Sequence, residues 1–564
     1  MEEEMRRTKI QNVVIIDIDG LRRDVLYNTL AEDSLRRDVN KKLPNLSKII
    51  GNIKLEDVND PNQITLEKDY EVIESDSLTI NQCVTVFPTY TYPAQASIFT
   101  GLFPKNHGIM ANFHFDREGN SLGANGGESH YYNKFEAIRF YLNEGSCNRM
   151  MKKGVNSIYD YFFQHDYKCA VSCNQFVSQN KDAVNHVTWH LPWNFEGAGK
   201  EIDWLVPNIL DQRQFLTEGG ADGISDYREN FDYQMIDDAL GYLDEFIKFK
   251  KSPPSVITLY FGGHDHQAHI QGDVALQRDY LVNTVDMLLG KFLGRWEKLA
   301  ESNPLNNTLF VICADHGHTK ADLDDNKRVT RKELKGLLKR LDYDVLGKSE
   351  LYELERFANA IVTITAGMTQ IYVRHGVVKK ERGDWKEKPT FHDLRLILKE
   401  LSHANQMPQS ATNFLSNAFD YILFKDYEKK RYQVYQYNTV NNTDIIEPVS
   451  KNFGAEKNYV LGKDRLDELY CQNSGDILLL VNYNDNYRFE KNRRMRSTHG
   501  SLLPSDSHVP LIFATPYNQK LIKSISAGKY RHGVIPFART VDITPTLLRQ
   551  FKIPYKNLDG SELF

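Results

Sequence analysis

Three segments rich in acidic residues or histidine each follow a short apolar run. Val13–Ile16 leads into Asp17, Asp19 and Gly20, and Val256–Phe261 leads into Gly262-Gly263-His264-Asp265-His266-Gln267-Ala268-His269. Leu309–Cys313 leads into Asp315-His316-Gly317. An aspartate after a strand more often caps a helix than binds a ligand, so one such segment means little. Three together, all offering carboxylate or imidazole donors, point to a divalent metal. Asp265 and His269 are four residues apart and share one face if the segment is helical. Asp315 and His316 are adjacent and must leave the strand end in diverging directions to reach one ion. His264, His266 and His318 are further donors, but together they exceed the four positions zinc prefers, so they are read as supporting or solvated residues.

A fourth segment, Phe87-Pro88-Thr89-Tyr90-Thr91-Tyr92-Pro93-Ala94-Gln95, passes from a Thr- and Pro-rich turn into a small-residue helix start. Helix N-termini attract anions, yet taken alone the turn reads first as a cap. A threonine alcohol is a poor nucleophile without help. Zinc lowers a bound water from about 15.7 to about 7, and a comparable shift for an alkoxide is worth roughly 11–12 kcal/mol. A single histidine base supplies roughly 3–5 kcal/mol. A metal-activated threonine therefore suits this chain better than a Ser-His-Asp scheme.

The elements that must position these residues follow from the apolar pattern. Unalternating runs at Val13–Ile16, Val256–Phe261, Leu309–Cys313, Ile477–Val481 and Leu511–Ala514 suit strands buried on both faces of a parallel sheet. Met235, Ile236, Ala239, Leu240, Leu243, Phe246 and Ile247 recur at helical spacing before the second strand. Leu276, Tyr280, Leu281, Val285, Leu288, Leu289 and Phe292 do so before the third. This order predicts an α/β fold with a largely parallel central sheet, helices on both faces and right-handed crossovers. Ligands in such sheets gather at the carboxyl ends of the strands, where the three metal-competent loops lie.

Residues 1–320 read as the first part of the catalytic core and 471–564 as the part that completes the metal site. Between them, 321–470 opens with a charged helix carrying a Thr330–Glu333 capping-box spacing. It continues with aromatic strand-like pieces at Tyr421–Phe424 and Tyr432–Tyr437. It reads as an inserted cap, with a decoration remote from the site as the alternative.

Composition narrows the class. The 564 residues are 41% hydrophobic and 26% charged, the profile of a globular protein. A net charge of −5 gives no whole-chain reason to expect a nucleic-acid duplex as partner. No apolar run approaches the ~18–20 residues needed to span a bilayer, and no apolar h-region precedes the first strand. The six cysteines, Cys83, Cys147, Cys169, Cys173, Cys313 and Cys471, form no CxxC pair. These features predict a reduced, cytoplasmic protein without a membrane partner; oligomeric state is not readable.

The motifs IDIDGLRRDVL, FPTYTYPAQASIFTGLFPKNHGIMAN, GGHDHQAH, ADHGH, STHG and VDITPTLL occur in that order. In this set and order the sequence resembles the alkaline phosphatase superfamily, most closely its nucleotide pyrophosphatase/phosphodiesterase branch. The resemblance implies Thr91 as nucleophile and two divalent metals, zinc by the histidine-rich ligation or else manganese. Asp19, Asp315, His316 and Thr91 would hold one metal, and Asp265, His269 and His499 the other. His508 competes with His499 by position, and the Thr498-His499-Gly500 context favours His499. Asn112 matches an asparagine that holds a phosphate oxygen, and a neutral amide suits a diester. Tyr92 stands where the branch often stacks an aromatic on a base, with packing beneath the turn as the alternative.

The implied activity is hydrolysis of phosphodiester or pyrophosphate bonds in a small phosphorylated substrate, a nucleotide among the candidates, through a phosphothreonine intermediate. A phosphomonoesterase, phosphonate hydrolase or phosphotransferase on the same site is the second reading. A non-catalytic binding protein of the same fold is the third. Ala94-Gln95 departs from the Asn-His found in many members, and many members are secreted or membrane-anchored; both bear on the nucleotide substrate. The Cys/Ser-x-Pro-x-Arg pattern of sulfatases is absent.

Overall fold

Runs of apolar residues with no polar alternation must be covered on both faces, and three of them are. Asn12–Ile18, Val256–Phe261 and Thr308–Cys313 are buried along their whole lengths. The computed structural model describes residues 9–564 apart from 36–40, 58–69, 125–126, 134–135, 137–139, 141–145, 173, 178–186, 191–231, 234, 245–253, 273, 301–303, 322–326, 347–357, 377–382, 411–412, 490–494 and 531.

Among the described residues the central sheet has nine strands. Along it lie His508–Val509, Leu78–Val84, Leu511–Ala514, Thr308–Cys313, Asn12–Ile18, Val256–Phe261, Cys169–Ser172 and Val187–His190, with Val534–Arg539 also paired to Leu78–Val84. The strand Asn12–Ile18 runs parallel to both neighbours, and its Asp17 faces Cys313 on one side and Tyr260 on the other. That register brings Asp19, Gly262 and Asp315 out together at the carboxyl ends of the three strands. Flanking helices supply Val25, Leu26, Phe99, Leu288, Leu289, Phe292, Leu547 and Leu548 to the main core.

Residues 235–244 are helical, with Met235, Ile236 and Leu243 buried; Phe246 and Ile247 lie outside the described residues. The second expected helix runs through Val274–Tyr280, a π-helical stretch Leu281–Asp286 with a wider turn, and Met287–Ala300.

Two of the five apolar runs depart from the parallel expectation. Leu511–Ala514 pairs antiparallel with the Thr308–Cys313 strand. Ile477–Val481 belongs to a second sheet, of seven strands among the described residues, ordered Val345–Leu346, Ala360–Ile364, Met368–Val373, Ile477–Val481, Phe419–Asp426, Arg431–Asn438 and Thr443–Pro448. Both its ladders there are antiparallel. A strand at the middle of an antiparallel sheet, covered on both sides, carries the same unbroken apolar pattern as a parallel one. Here the Phe391–Gln406 helix covers it with Leu394, Ile397, Leu398 and Leu401.

Thr330 and Glu333 form the expected capping box of the helix Arg331–Arg340. The second sheet is tied to the core by a buried ion pair between Arg117 and Asp476. Gln370 adds a bond by donating to the Met110 carbonyl at 3.1 Å. Five cysteines are free thiols, while Cys173 lies outside the described residues. Among the described residues no helix is long and apolar enough to cross a membrane.

Candidate active site

Thr91 opens the helix Thr91–Thr100, after Tyr90 in extended conformation and before Gly101, whose left-handed backbone closes the helix. Tyr92, its neighbour, donates its backbone N–H to Asn112 Oδ1 at 3.0 Å. This bond fixes the Asn112 amide beside the Thr91 turn without using its Nδ2 group. Thr91 Oγ1 lies 3.2 Å from His316 Nε2.

Asp19, Asp315 and His316 form one donor group. His316 Nε2 is 3.4 Å from Asp19 Oδ1 and 3.5 Å from Asp315 Oδ2. The outer oxygens of both carboxylates are occupied. Asp19 Oδ2 accepts from the Tyr260 hydroxyl, and Asp315 Oδ1 accepts from the backbone N–H of Gly20 at 3.1 Å and of His316 at 2.9 Å. The inner oxygens, Asp19 Oδ1 and Asp315 Oδ2, are buried and have no hydrogen-bond partner. Burial first, then the Asp315 charge, pushes the Asp19 carboxyl well up. Burial likewise raises Asp315, against the pull of His316. Buried carboxylate oxygens without donors are costly unless a cation satisfies them.

Asp265 and His269 stand one helical turn apart on Gly263–Gln271, with Asp265 Oδ1 and His269 Nε2 separated by 3.4 Å. His499 Nε2 is 3.2 Å from His269 Nε2 and 3.6 Å from Asp265 Oδ1. Zinc with bonds of about 2.0–2.1 Å separates tetrahedral ligands by about 3.3–3.4 Å, so these three donors are spaced to hold an ion. Burial raises the Asp265 carboxyl, but His269, His318 and His499 outweigh it and hold it well below the usual range. Burial, then the neighbouring His316, pushes the His499 imidazole well down.

The histidines are oriented for ligation by their other nitrogen. Nδ1 of His269 faces the Ser497 carbonyl at 2.9 Å, that of His316 the Gly317 carbonyl at 3.1 Å, and that of His499 the Thr89 carbonyl at 2.8 Å. A carbonyl only accepts, so each Nδ1 carries the proton and each Nε2 keeps its lone pair. The two groups abut: the His316 and His499 rings stack with centroids 3.7 Å apart.

The structure thus brings Thr91, Asp19, Asp265, His269, Asp315, His316 and His499 to one place. His508 lies instead in a short strand paired with Leu78–Val84. Tyr92 is half-buried, its ring edge-on to Phe176 at 6.0 Å. His264 is buried with Nδ1 3.1 Å from the Asp19 carbonyl, and burial lowers it to about 4. His318 is buried rather than solvated.

Several contributors carried no signal in the chain. Tyr260, Thr89 and Ser497 look like ordinary strand or turn residues until register and loop packing place them. Tyr90 belongs with them: its hydroxyl accepts from the backbone of Gly367 at 2.9 Å and Met368 at 3.0 Å in the second sheet. Its ring meets His499 edge-on at 5.6 Å. Between the two sheets a cavity of about 90 Å³ is lined by Tyr90, Asn112, His269, Arg488, Met495 and His499, among others. A larger cleft of about 1540 Å³, around Ile10, Tyr555 and Phe564, contains none of the donor residues.

Comparison with known proteins follows the same direction. The family described as type I phosphodiesterase / nucleotide pyrophosphatase matches residues 13–501. Murine ectonucleotide pyrophosphatase / phosphodiesterase 5 superposes with a TM-score of 0.50 at 13% identity, covering 98% of each chain. An inactive variant of the murine protein in complex with AMP gives 0.50 at 14%, covering 98% of this chain and 97% of that one. The human counterpart gives 0.50 at 13%, with the same coverage as the variant. At such identities the likeness speaks to the fold.

Proposed function

Because this chain belongs to the type I phosphodiesterase/nucleotide pyrophosphatase family, in the alkaline phosphatase superfamily, we propose that it is a two-metal phosphodiesterase that uses Thr91 as its nucleophile. The observation that carries the proposal is Thr91 Oγ1 at 3.2 Å from His316 Nε2, against two buried carboxylate oxygens that have no donor. Asp19, Asp315 and His316 would hold one cation beside Thr91, and Asp265, His269 and His499 the other. Two divalent cations, when bound there, supply the acidity that ionises a threonine hydroxyl and the charge that offsets the phosphoryl oxygens. The histidine content favours zinc over manganese.

Thr91 Oγ attacks phosphorus in line and the bond to the departing oxygen breaks on the far side. That oxygen leaves with its electron pair and is protonated from solvent, as the Thr91 proton is lost to solvent. Asn112, held by the Tyr92 N–H, donates to a non-bridging oxygen. Water then attacks the phosphothreonine, restores the hydroxyl and releases a phosphomonoester, a covalent route in two easier steps. The murine relative's complex with AMP supports a nucleotide ester as the substrate class. Residues 321–470 act as a cap, in keeping with the cavity between the sheets.

A second reading, monoester hydrolysis, is suggested by the presence of a cationic residue, Arg488, among those lining that cavity. The test is metal content together with turnover of bis-p-nitrophenyl phosphate and p-nitrophenyl phosphate, for wild type and Thr91→Ala. The proposal expects about two metals, a diester preference, and a loss of about 10³-fold or more in the variant with metal retained. A monoester preference selects the second reading. Full activity in a folded, metal-replete Thr91→Ala protein refutes the nucleophile.

A further inference from the structure

We infer that His318 is a fourth protein donor to the Asp265–His269–His499 site, which then presents one carboxylate and three imidazoles to its cation. The inference rests on the two-metal reading above and adds a ligand to it.

The hydrogen bonds of one serine carry the case. Ser497 Oγ lies 2.5 Å from the Ala268 carbonyl and 3.0 Å from His318 Nδ1. A hydroxyl has one proton, and a carbonyl can only accept, so the serine donates to Ala268. Its remaining bond to His318 then requires the proton to sit on Nδ1. This is the arrangement already found at His269, His316 and His499, with a hydroxyl oxygen in place of a carbonyl. A neutral His318 with its proton on Nδ1 has a bare Nε2, and that Nε2 points at Asp265 Oδ1 from 2.8 Å. Two lone pairs at that distance repel. A cation bound to both turns the contact into an attraction.

Spacing agrees with ligation. With bonds of about 2.05 Å, donors 2.8 Å apart subtend about 86° at the metal, and donors 3.2–3.6 Å apart subtend about 100–125°. The set around Asp265 contains both kinds of angle, at 2.8, 3.2, 3.4 and 3.6 Å. Such separations would let Asp265, His269, His318 and His499 share one cation. Room for the ring is made by Gly20, at φ +72°, where a Cβ would fall 2.7 Å from His318 Nε2. The competing arrangement is an imidazolium at His318, ion-paired to Asp265 and touching no metal.

The two arrangements separate in the full-length protein loaded with cobalt(II) as the probe. Nδ1–H protons on ligating imidazoles appear as exchangeable, strongly shifted proton resonances. Ligation by His318 predicts four of them in wild type and three in His318→Gln. It also predicts stronger visible d–d absorption in the variant, as coordination number falls, and zinc weakened at one of the two sites by more than the about 10–100-fold that loss of an outer-shell partner costs. Three shifted resonances in the wild type overturn the inference without recourse to any variant. So do an unchanged spectrum and zinc affinity in His318→Gln. Failure of the wild type to bind cobalt or zinc at all would instead remove the two-metal reading, and this inference with it.

Discussion

Tyr260 is the residue whose replacement tests the organisation of the site most cleanly. It lies on the Val256–Phe261 strand, opposite Asp17, and its hydroxyl donates to Asp19 Oδ2. Gln175 donates to the same hydroxyl at 3.3 Å. Burial pushes the phenol well above its ordinary range, so it stays a donor at every working pH. Tyr260→Phe removes one oxygen, keeps the ring, and leaves both Asp19 oxygens without a donor. A hydrogen bond to a charged group is worth about 1.5–3 kcal/mol, or about 10–150-fold in an equilibrium constant at 1.36 kcal/mol per decade. The expected readout is therefore a 10–150-fold loss of zinc affinity, measured by competition with a chelator of known affinity at pH 7.5. The Tyr260 bond lowers an Asp19 carboxyl that burial otherwise raises. Its loss lets protons compete with the cation, so the deficit should widen at pH 6. Affinities within about threefold of wild type at both pH values would refute the account of Tyr260 as the residue that sets Asp19 for ligation.

Away from the candidate metal site, burial lowers His107 to about 3, with Lys152 adding to the effect, while an unfolded histidine titrates near 6.5. The unfolded state then binds the extra proton first, so stability is full above pH 6.5 and is lost as pH falls toward 3. That loss is on the order of 2–3 kcal/mol between pH 6.5 and 4.5. Urea midpoints of metal-free protein should fall over that window and fall less in His107→Gln; equal slopes would count against the assignment. Gly500 sits at φ +112°, and a Cβ there would lie 2.1 Å from the Tyr90 ring. Gly500→Ala should displace His499, lower the thermal midpoint and reduce bound metal toward one equivalent, and a variant with normal metal content would contradict the packing.

What could be read from the chain was local. The four-residue step from Asp265 to His269 survives as one face of one helix, and the capping box at Thr330 needs only three residues of context. Placing donors after the Val13, Val256 and Leu309 runs anticipates their convergence because those three strands are neighbours in a parallel set. What could not be read depended on distant partners. Nothing in Ile477–Val481 says that its neighbours run antiparallel, since a strand covered on both faces looks the same in either sheet. Tyr260 differs from any strand tyrosine only through its register against Asp17. His318 could be read as supporting or solvated because its environment is set by Ser497, 179 positions away.

Tyr90 gives the two sheets a shared point of inheritance. It precedes Thr91, presses on Gly500 beside His499, and accepts both of its backbone bonds from the turn at Gly367 and Met368. Sequence drift in that turn is therefore felt at Thr91 and His499, and selection on the site should hold it to a fixed length. The far strand Thr443–Pro448 is largely exposed and has no such tie. Lineages should lengthen, trim or redecorate this second sheet from that outer edge inward, and the growth should stop short of the hairpin that meets the Tyr90 phenol.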